Sequence, residues 1–212
     1  LSSCFGFALE RGDIAHNPFT SMKAPKPAPP RERVLSNDEI GAFWWSEVHA
    51  VYVPMLRFTL LTGARFGNVK QLSWQQLDLN QRLWSIPAQA FKTGKPHHVP
   101  LSDLAVDVLE AIPRWEAGDF VFTTRGGEKP FGNVGKTHAK LLQATATSGW
   151  HRHDVRRTAG TILQRSGFPL EVVAAFLGHK LQGVTAIYLR HDYALEKRKA
   201  AAELASVIAR NI

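Results

Sequence analysis

The chain contains a single cysteine, Cys4, so no intrachain disulfide can form and a disulfide-stapled scaffold is excluded. It has no run of about 18 apolar residues, the length a membrane-spanning helix needs. Its first residues, LSSCFGFALERGD, lack both an initiator methionine and the charged, apolar and small-residue series of a secretory leader. They read as a stretch beginning inside a longer polypeptide. Acidic residues are in short supply. Against 26 Lys and Arg stand only 18 Asp and Glu, leaving +8 with histidines neutral, an excess that suits a polyanionic partner without identifying one. Also missing are an HExxH spacing and any Asp/Glu cluster, which argues against metal-assisted hydrolysis. There is no internal repeat and no low-complexity tail. A lone cysteine suits a reducing cytoplasm, where the reading places the protein.

At 212 residues the chain has room for one sizeable domain and a small appendage. Residues 1 to about 19 read as the end of a helix followed by Asn17-Pro18-Phe19. KAPKPAPPRER, Lys23 to Arg33, is Pro-rich and basic, as a semi-extended linker would be. These features divide the chain into an N-terminal stub (1–24), a linker (25–33) and a main domain (34–212). Ser36 and Glu39 form a capping box, with Leu35 and Ile40 placed for a hydrophobic staple, so a helix should begin at Asn37. An apolar helix over 50–62 ends near Gly63, and a short one follows from Arg65 to Leu72. Apolar–polar alternation predicts three short antiparallel strands near 75–79, 82–87 and 96–100. Helical patterns then cover 102–112, 133–146, 154–166, 169–177, 183–190 and 194–209, punctuated by Gly167, Gly178 and Gly183. The expected class is α+β, mainly α-helical, with a small three-stranded antiparallel sheet packed on a helical domain.

Chemistry concentrates in HRHDVRRT, His151 to Thr158. A solvated helix turn, a metal site and a phosphate pocket all remain open for this octet alone. With a helix over 154–166, His153 and Arg156 project together near its N-terminus, where free N–H groups favour an anion. Arg65 follows Gly63 at the start of another helix. Lys92 and Lys95 flank Thr93–Gly94, a tight turn between the second and third strands. His179 follows Gly178, and Tyr188 lies nine residues further on. Each feature alone has an ordinary structural reading. Together they suit phosphoryl transfer without metals. Guanidinium forks grip phosphate oxygens, a lysine can protonate a leaving alkoxide, and a tyrosine can act as covalent nucleophile.

In order and spacing, TGAR, KTGKxxxVPL, HDVRRT, LGH and the tyrosine nine residues beyond resemble the phage-integrase family of tyrosine recombinases. The resemblance runs from about Arg33 to about Asp192, and YLRHDY with the following helix is similar to prophage and genomic-island integrases. It implies the tyrosine-recombinase catalytic fold over 34–212 and, in residues 1–24, the last part of a core DNA-binding domain. It implies a site-specific recombinase that integrates or excises a mobile element through a 3′-phosphotyrosyl intermediate, using neither metal, cofactor nor ATP. Carried over, Arg65 and Arg156 clamp the scissile phosphate and Lys92 protonates the leaving 5′-oxygen. His153 assists proton transfer, His179 supports it, and Tyr188 is the nucleophile. Asn68 stands where many members carry an acidic residue; Lys95 and Arg157 are expected at the phosphate backbone nearby. Tyr193 is a less well spaced alternative to Tyr188. The implied partners are duplex DNA attachment sites, a homo-tetramer on DNA that is a monomer when free, and accessory DNA-bending proteins. The helix over 194–209 packs either on its own domain or on the next protomer. Competing readings are a type IB topoisomerase-like transesterase, a non-catalytic DNA-binding relative and a helix-turn-helix repressor.

Overall fold

The computed structural model describes residues 2–22, 29, 32–90, 94, 96–179 and 192–212. The chain divides into two compact units, Leu1–Glu32 and Arg33–Ile212. In the first, helix α1 (Ser2–Glu10) is followed by a turn in which Asn17 Oδ1 accepts from the Phe19 N–H, and the Phe5 and Phe19 rings meet edge to face at 4.9 Å.

The second unit is mainly helical around one small sheet. Helix α2 (Asn37–Trp44) opens on the expected box: Ser36 Oγ accepts from the Glu39 N–H and Glu39 returns a carboxylate to the Ser36 N–H. Helix α3 (Tyr52–Thr62) is apolar nearly all round, and nine of its eleven residues are buried, which makes it the central helix of the core. It stops at Gly63, whose φ of +59° is a left-handed cap that favours glycine. Three residues later the short helix α4 (Phe66–Lys70) begins.

The sheet has the order β1 (Leu77–Asp78), β2 (Leu83–Ile86), β3 (His97–Pro100), antiparallel throughout. β1 is shorter than the alternation predicts because Trp74–Gln76 close into a 3₁₀ turn instead. On the inner face Trp84 pairs with Val99 and Ile86 with His97. Ser102 caps α5 (Asp103–Glu110), which packs on α3. An irregular stretch follows, held by the Phe131 N–H to the Phe122 carbonyl and by Val121 N–H to Leu72 carbonyl. Gly118 and Gly127 permit its closest approach: a Cβ on Gly118 would lie 2.2 Å from the Gly127 carbonyl carbon.

Among the described residues, helices α6 (Val134–Ala144), α7 (Arg152–Arg165), α8 (Leu170–Leu177) and α9 (Ala194–Asn211) follow. Helix α7 starts two residues before the sequence pattern suggests. Asp154 Oδ2 accepts from the His151 N–H at 2.8 Å, so His151 becomes the cap and His153 falls inside the first turn. Helix α9 packs on its own unit against α8, α7, α3, α5 and β3, burying Ala200, Ala201, Leu204, Ala205 and Ile208. The predicted helix over 183–190 and its Gly183 lie outside the described residues.

Candidate active site

Arg156 is the centre of the site because of where two helices end. The last carbonyls of a helix have no partner within it, and they carry the negative end of its dipole. Arg156, on α7 and only 3% exposed, takes up two of them. Nη1 donates to the Gly63 carbonyl just past α3 at 2.5 Å, and Nη2 donates to the Leu177 carbonyl at the end of α8 at 2.7 Å. The guanidinium is thus fixed in orientation from both sides. Burial, reinforced by the nearby Arg65 charge, pushes its pKa down to about 10, which still leaves it a cation at neutral pH.

Nη2 of Arg156 also donates to His179 Nε2 at 2.8 Å. Arginine has no acceptor, so Nε2 must be unprotonated and Nδ1 carries the ring proton. His179 sits directly after Gly178, the left-handed cap of α8, and its N–H donates to the Ala174 carbonyl at 2.8 Å. Burial first, then the charges of Arg156, Arg65 and His153, hold it at about 4, a neutral imidazole. His153, an exposed residue in the first turn of α7, is lowered for similar reasons: burial, then Arg156 and Arg157, opposed by Asp154. Both rings are therefore unprotonated at neutral pH and keep a nitrogen lone pair. Arg65 caps α4 from its N-terminal side, is half-buried, and its charge bears on Arg156, His153 and His179 alike.

Asp154 is 1% exposed, but its carboxylate is committed: it caps α7 and ion-pairs with Arg157. Arg157 also reaches the Arg33 carbonyl at 3.4 Å and keeps 28% of its side chain exposed. Asn68 lies on α4 with its amide Nδ2 buried and, among the described residues, without a hydrogen-bond partner. Lys92, Lys95 and Tyr188 lie outside the described residues. Tyr193 starts α9 with φ of +53° and packs against the core. Among the described residues, no group of three or more His, Cys, Asp or Glu is arranged to hold a metal. An open cavity of about 380 Å³ between α7 and α8 is lined by His153, Arg156 and His179 at one end and by Thr161, Gln164 and Leu170 at the other.

Two residues join this neighbourhood that the motif reading did not single out. His97 opens β3 on the inner face, hydrogen-bonded to the backbone of Phe176 and within reach of the charges of Lys197, Arg156 and Arg65. Lys197, on α9, is 8% exposed, and its Nζ donates to the His98 carbonyl at 3.2 Å. Period-two alternation would have turned His97 inward with Val99, and helical spacing would have put Lys197 on the face of Ala200, Ala201 and Leu204. Neither signal names a function.

Residues 44–194 match the family model described as "Phage integrase family". Prophage integrase IntA of Escherichia coli K12 is 33% identical over 147 residues, covering 68% of this chain and 35% of the relative. Prophage integrase IntZ of the same strain is 26% identical, and the chain spans 53% of its length. Among solved structures, the integrase of mycobacterium phage Brujita superposes with a TM-score of 0.64 at 20% identity, over all of this chain and 74% of that one. A lambda integrase tetramer bound to a Holliday junction superposes with a TM-score of 0.62 at 18% identity, over 86% of this chain and 57% of that one. These structural likenesses show that the second unit has the tyrosine-recombinase catalytic fold.

Proposed function

The chain belongs to the phage integrase family, and from that premise we propose that it is the catalytic portion of a site-specific DNA recombinase of the prophage or genomic-island kind. The observation that carries this reading is the buried Arg156, held by two helix ends with its guanidinium bonded to a neutral His179 and Arg65 alongside. The Arg156 guanidinium and two neutral imidazoles at one end of an open cavity, with the Arg65 charge acting on all three, suit a phosphodiester, whose transition state gathers charge on its non-bridging oxygens.

In the proposed reaction Arg65 and Arg156 hold the scissile phosphate. The Tyr188 oxygen attacks phosphorus as its proton passes to neutral His153, and the bond to the 5′-oxygen breaks. Lys92 supplies the proton that this leaving oxygen needs. The product is a 3′-phosphotyrosyl bond and a free 5′-hydroxyl. A second 5′-hydroxyl attacks the same phosphorus in reverse, so the phosphodiester energy is conserved and no ATP or metal is consumed. His179 keeps Arg156 in orientation. Asn68 replaces the charged orienting residue of many relatives with a neutral amide, and Lys95 and the open part of Arg157 contact neighbouring phosphates.

The proposed partner is duplex DNA carrying attachment sites, engaged as a homo-tetramer, with accessory DNA-bending proteins, in the cytoplasm and on the nucleoid. The lambda integrase tetramer on a Holliday junction supports the assembly. No helix among the described residues is long and apolar enough to cross a membrane. Residues 1–24 are assigned to the end of a core DNA-binding domain, 25–33 to a linker and 34–212 to the catalytic domain.

The test is a nicked suicide duplex bearing the attachment site from the ends of the element that flanks the gene. It is incubated without metal with the full-length wild-type protein, Tyr188→Phe or Tyr193→Phe. A denaturant-resistant protein–DNA adduct lost only in Tyr188→Phe is expected. Loss only in Tyr193→Phe would move the nucleophile, and binding without any adduct would overturn the catalytic reading.

A further inference from the structure

Resting on the site reading above, we propose that Tyr52 and His138 are positioning residues. With Arg152 and Trp150 they form a buried polar chain that holds the start of α7 against the start of α4, bringing His153 and Arg156 into register with Arg65.

The geometry fixes every proton in the chain. His138, on α6 and 6% exposed, places Nε2 3.1 Å from the Trp150 carbonyl. A carbonyl only accepts, so Nε2 carries the hydrogen and Nδ1 is left as an acceptor. The Tyr52 hydroxyl, 2.9 Å from Nδ1 and fully buried at the start of α3, therefore donates to it. The positive charge of Arg152 acts on the same hydroxyl. Burial pushes the Tyr52 hydroxyl up to about 12 despite the Arg152 charge, so it remains a donor. Burial likewise lowers His138, helped by Arg152 and His151, so its ring stays neutral.

The ends of this chain lie where the site needs them. Trp150 and Arg152 flank the His151 cap of α7, and Arg152 directly precedes His153. The Arg152 guanidinium also lies over the Phe66 ring at 5.5 Å, and Phe66 meets Tyr52 edge to face at 6.0 Å. Phe66 is the residue after Arg65. Trp150 is anchored separately: its ring stands against His138 at 4.7 Å and Phe43 at 5.8 Å, and its Nε1 donates to Thr147 Oγ1 at 3.0 Å. Neither Tyr52 nor His138 lines the cavity beside Arg156, so their influence passes through the backbone they hold. Apolar side chains of the same size would fill this volume but permit small slides. Directional hydrogen bonds select one placement, and a shift of about 1 Å in a reacting constellation costs on the order of 100-fold in rate.

The test compares Tyr52→Phe, His138→Leu and His138→Gln in the full-length protein on the suicide duplex. The readouts are single-turnover adduct rate, DNA Kd and Tm, together with the ¹⁵N NMR titrations of His153 and His179 in each protein. Tyr52→Phe and His138→Leu should slow adduct formation at least ~10-fold with Kd within about twofold, while His138→Gln, which keeps a donor and an acceptor, recovers most of the rate. Adduct rates equal to wild type at a temperature where all variants are folded would overturn the proposal. If wild type itself forms no adduct, the recombinase reading fails, and the NMR titrations decide positioning alone. Midpoints displaced by half a pH unit or more in Tyr52→Phe support it, and unchanged midpoints overturn it.

Discussion

Acid should destabilise this protein through His97 more than a surface histidine would allow. Burial, then the charges of Lys197, Arg156 and Arg65, hold this imidazole down at about 4, against 6.5 in a model peptide, while its bond to the Phe176 backbone opposes them. Below pH 6.5 the unfolded chain binds a proton at this position and the folded chain does not. Stability is therefore fully present above 6.5, rises with pH through the window between about 4 and 6.5, and is lost as pH falls toward the folded value. Integrating that linkage from pH 7.5 to pH 5 gives a loss of ~2 kcal/mol from this one group. Such a loss is a large part of the 5–15 kcal/mol that typically separates folded from unfolded domains, about 1 M in a urea midpoint.

The assay is urea unfolding at pH 7.5, 6.5, 5.5 and 5.0 for wild type and His97→Gln. Glutamine can keep a donor for the Phe176 carbonyl and cannot titrate. Other lowered histidines, including His49, His138, His153 and His179, contribute to the slope of both proteins and cancel in the comparison. The gap between the two proteins should therefore change by ~2 kcal/mol across the series, in favour of the variant at low pH. Parallel curves would refute the reasoning, because they would mean that His97 binds its proton equally well in both states.

Gly63→Ala should cost ~1–3 kcal/mol in urea unfolding. The backbone there has φ of +59°, and an added Cβ would lie 2.7 Å from Leu177 Cδ2 and 3.1 Å from Phe176 Cε1. Arg156→Lys keeps the charge but cannot reach the Gly63 carbonyl, the Leu177 carbonyl and His179 from one rigid fork, so the single-turnover adduct rate should fall ~100-fold or more in a protein that still unfolds cooperatively. Ser36→Ala removes one half of the box at the start of α2 and should cost ~1 kcal/mol; a change below ~0.3 kcal/mol would mean the Ser36 bond contributes little in solution.

Local signals marked the elements well. Ser36 with Glu39 announces α2, Gly63 and Gly178 end α3 and α8 as left-handed caps, and the three strands lie within the stretches that alternation marks, β1 cut short by the 3₁₀ turn before it. The irregular stretch after α5 carried no such signal, since its shape rests on bonds to partners such as Leu72 and on the contact of Gly118 with Gly127. The site was legible as a set of residue types but not as an arrangement. The carbonyls that orient Arg156 lie 93 and 21 residues away in the chain, and nothing local couples them. Tyr52 and His138 are 86 residues apart, one in an apolar helix and one in a polar helix, and each alone looks unremarkable.

The adjacent pair His97 and His98 shows the physical limit most clearly. The two share a residue type and a strand, and period-two geometry guarantees only that they face opposite ways. Which of them faces Arg156 depends on pairing: Ile86 opposite His97 turns His97 inward, and Ser85 opposite His98 turns His98 outward, where its Nδ1 lies 3.0 Å from Ser85 Oγ. A slip of one residue would exchange them, turning His97 out to solvent and His98 in toward Arg156. Register is a property of the two strands together, set by which side chains pack against α3, where Phe58 meets Trp84, and against α9. A motif can therefore name His153 and His179, whereas the presence of His97 at this site, and its charge at neutral pH, are decided by the packing that selects the register.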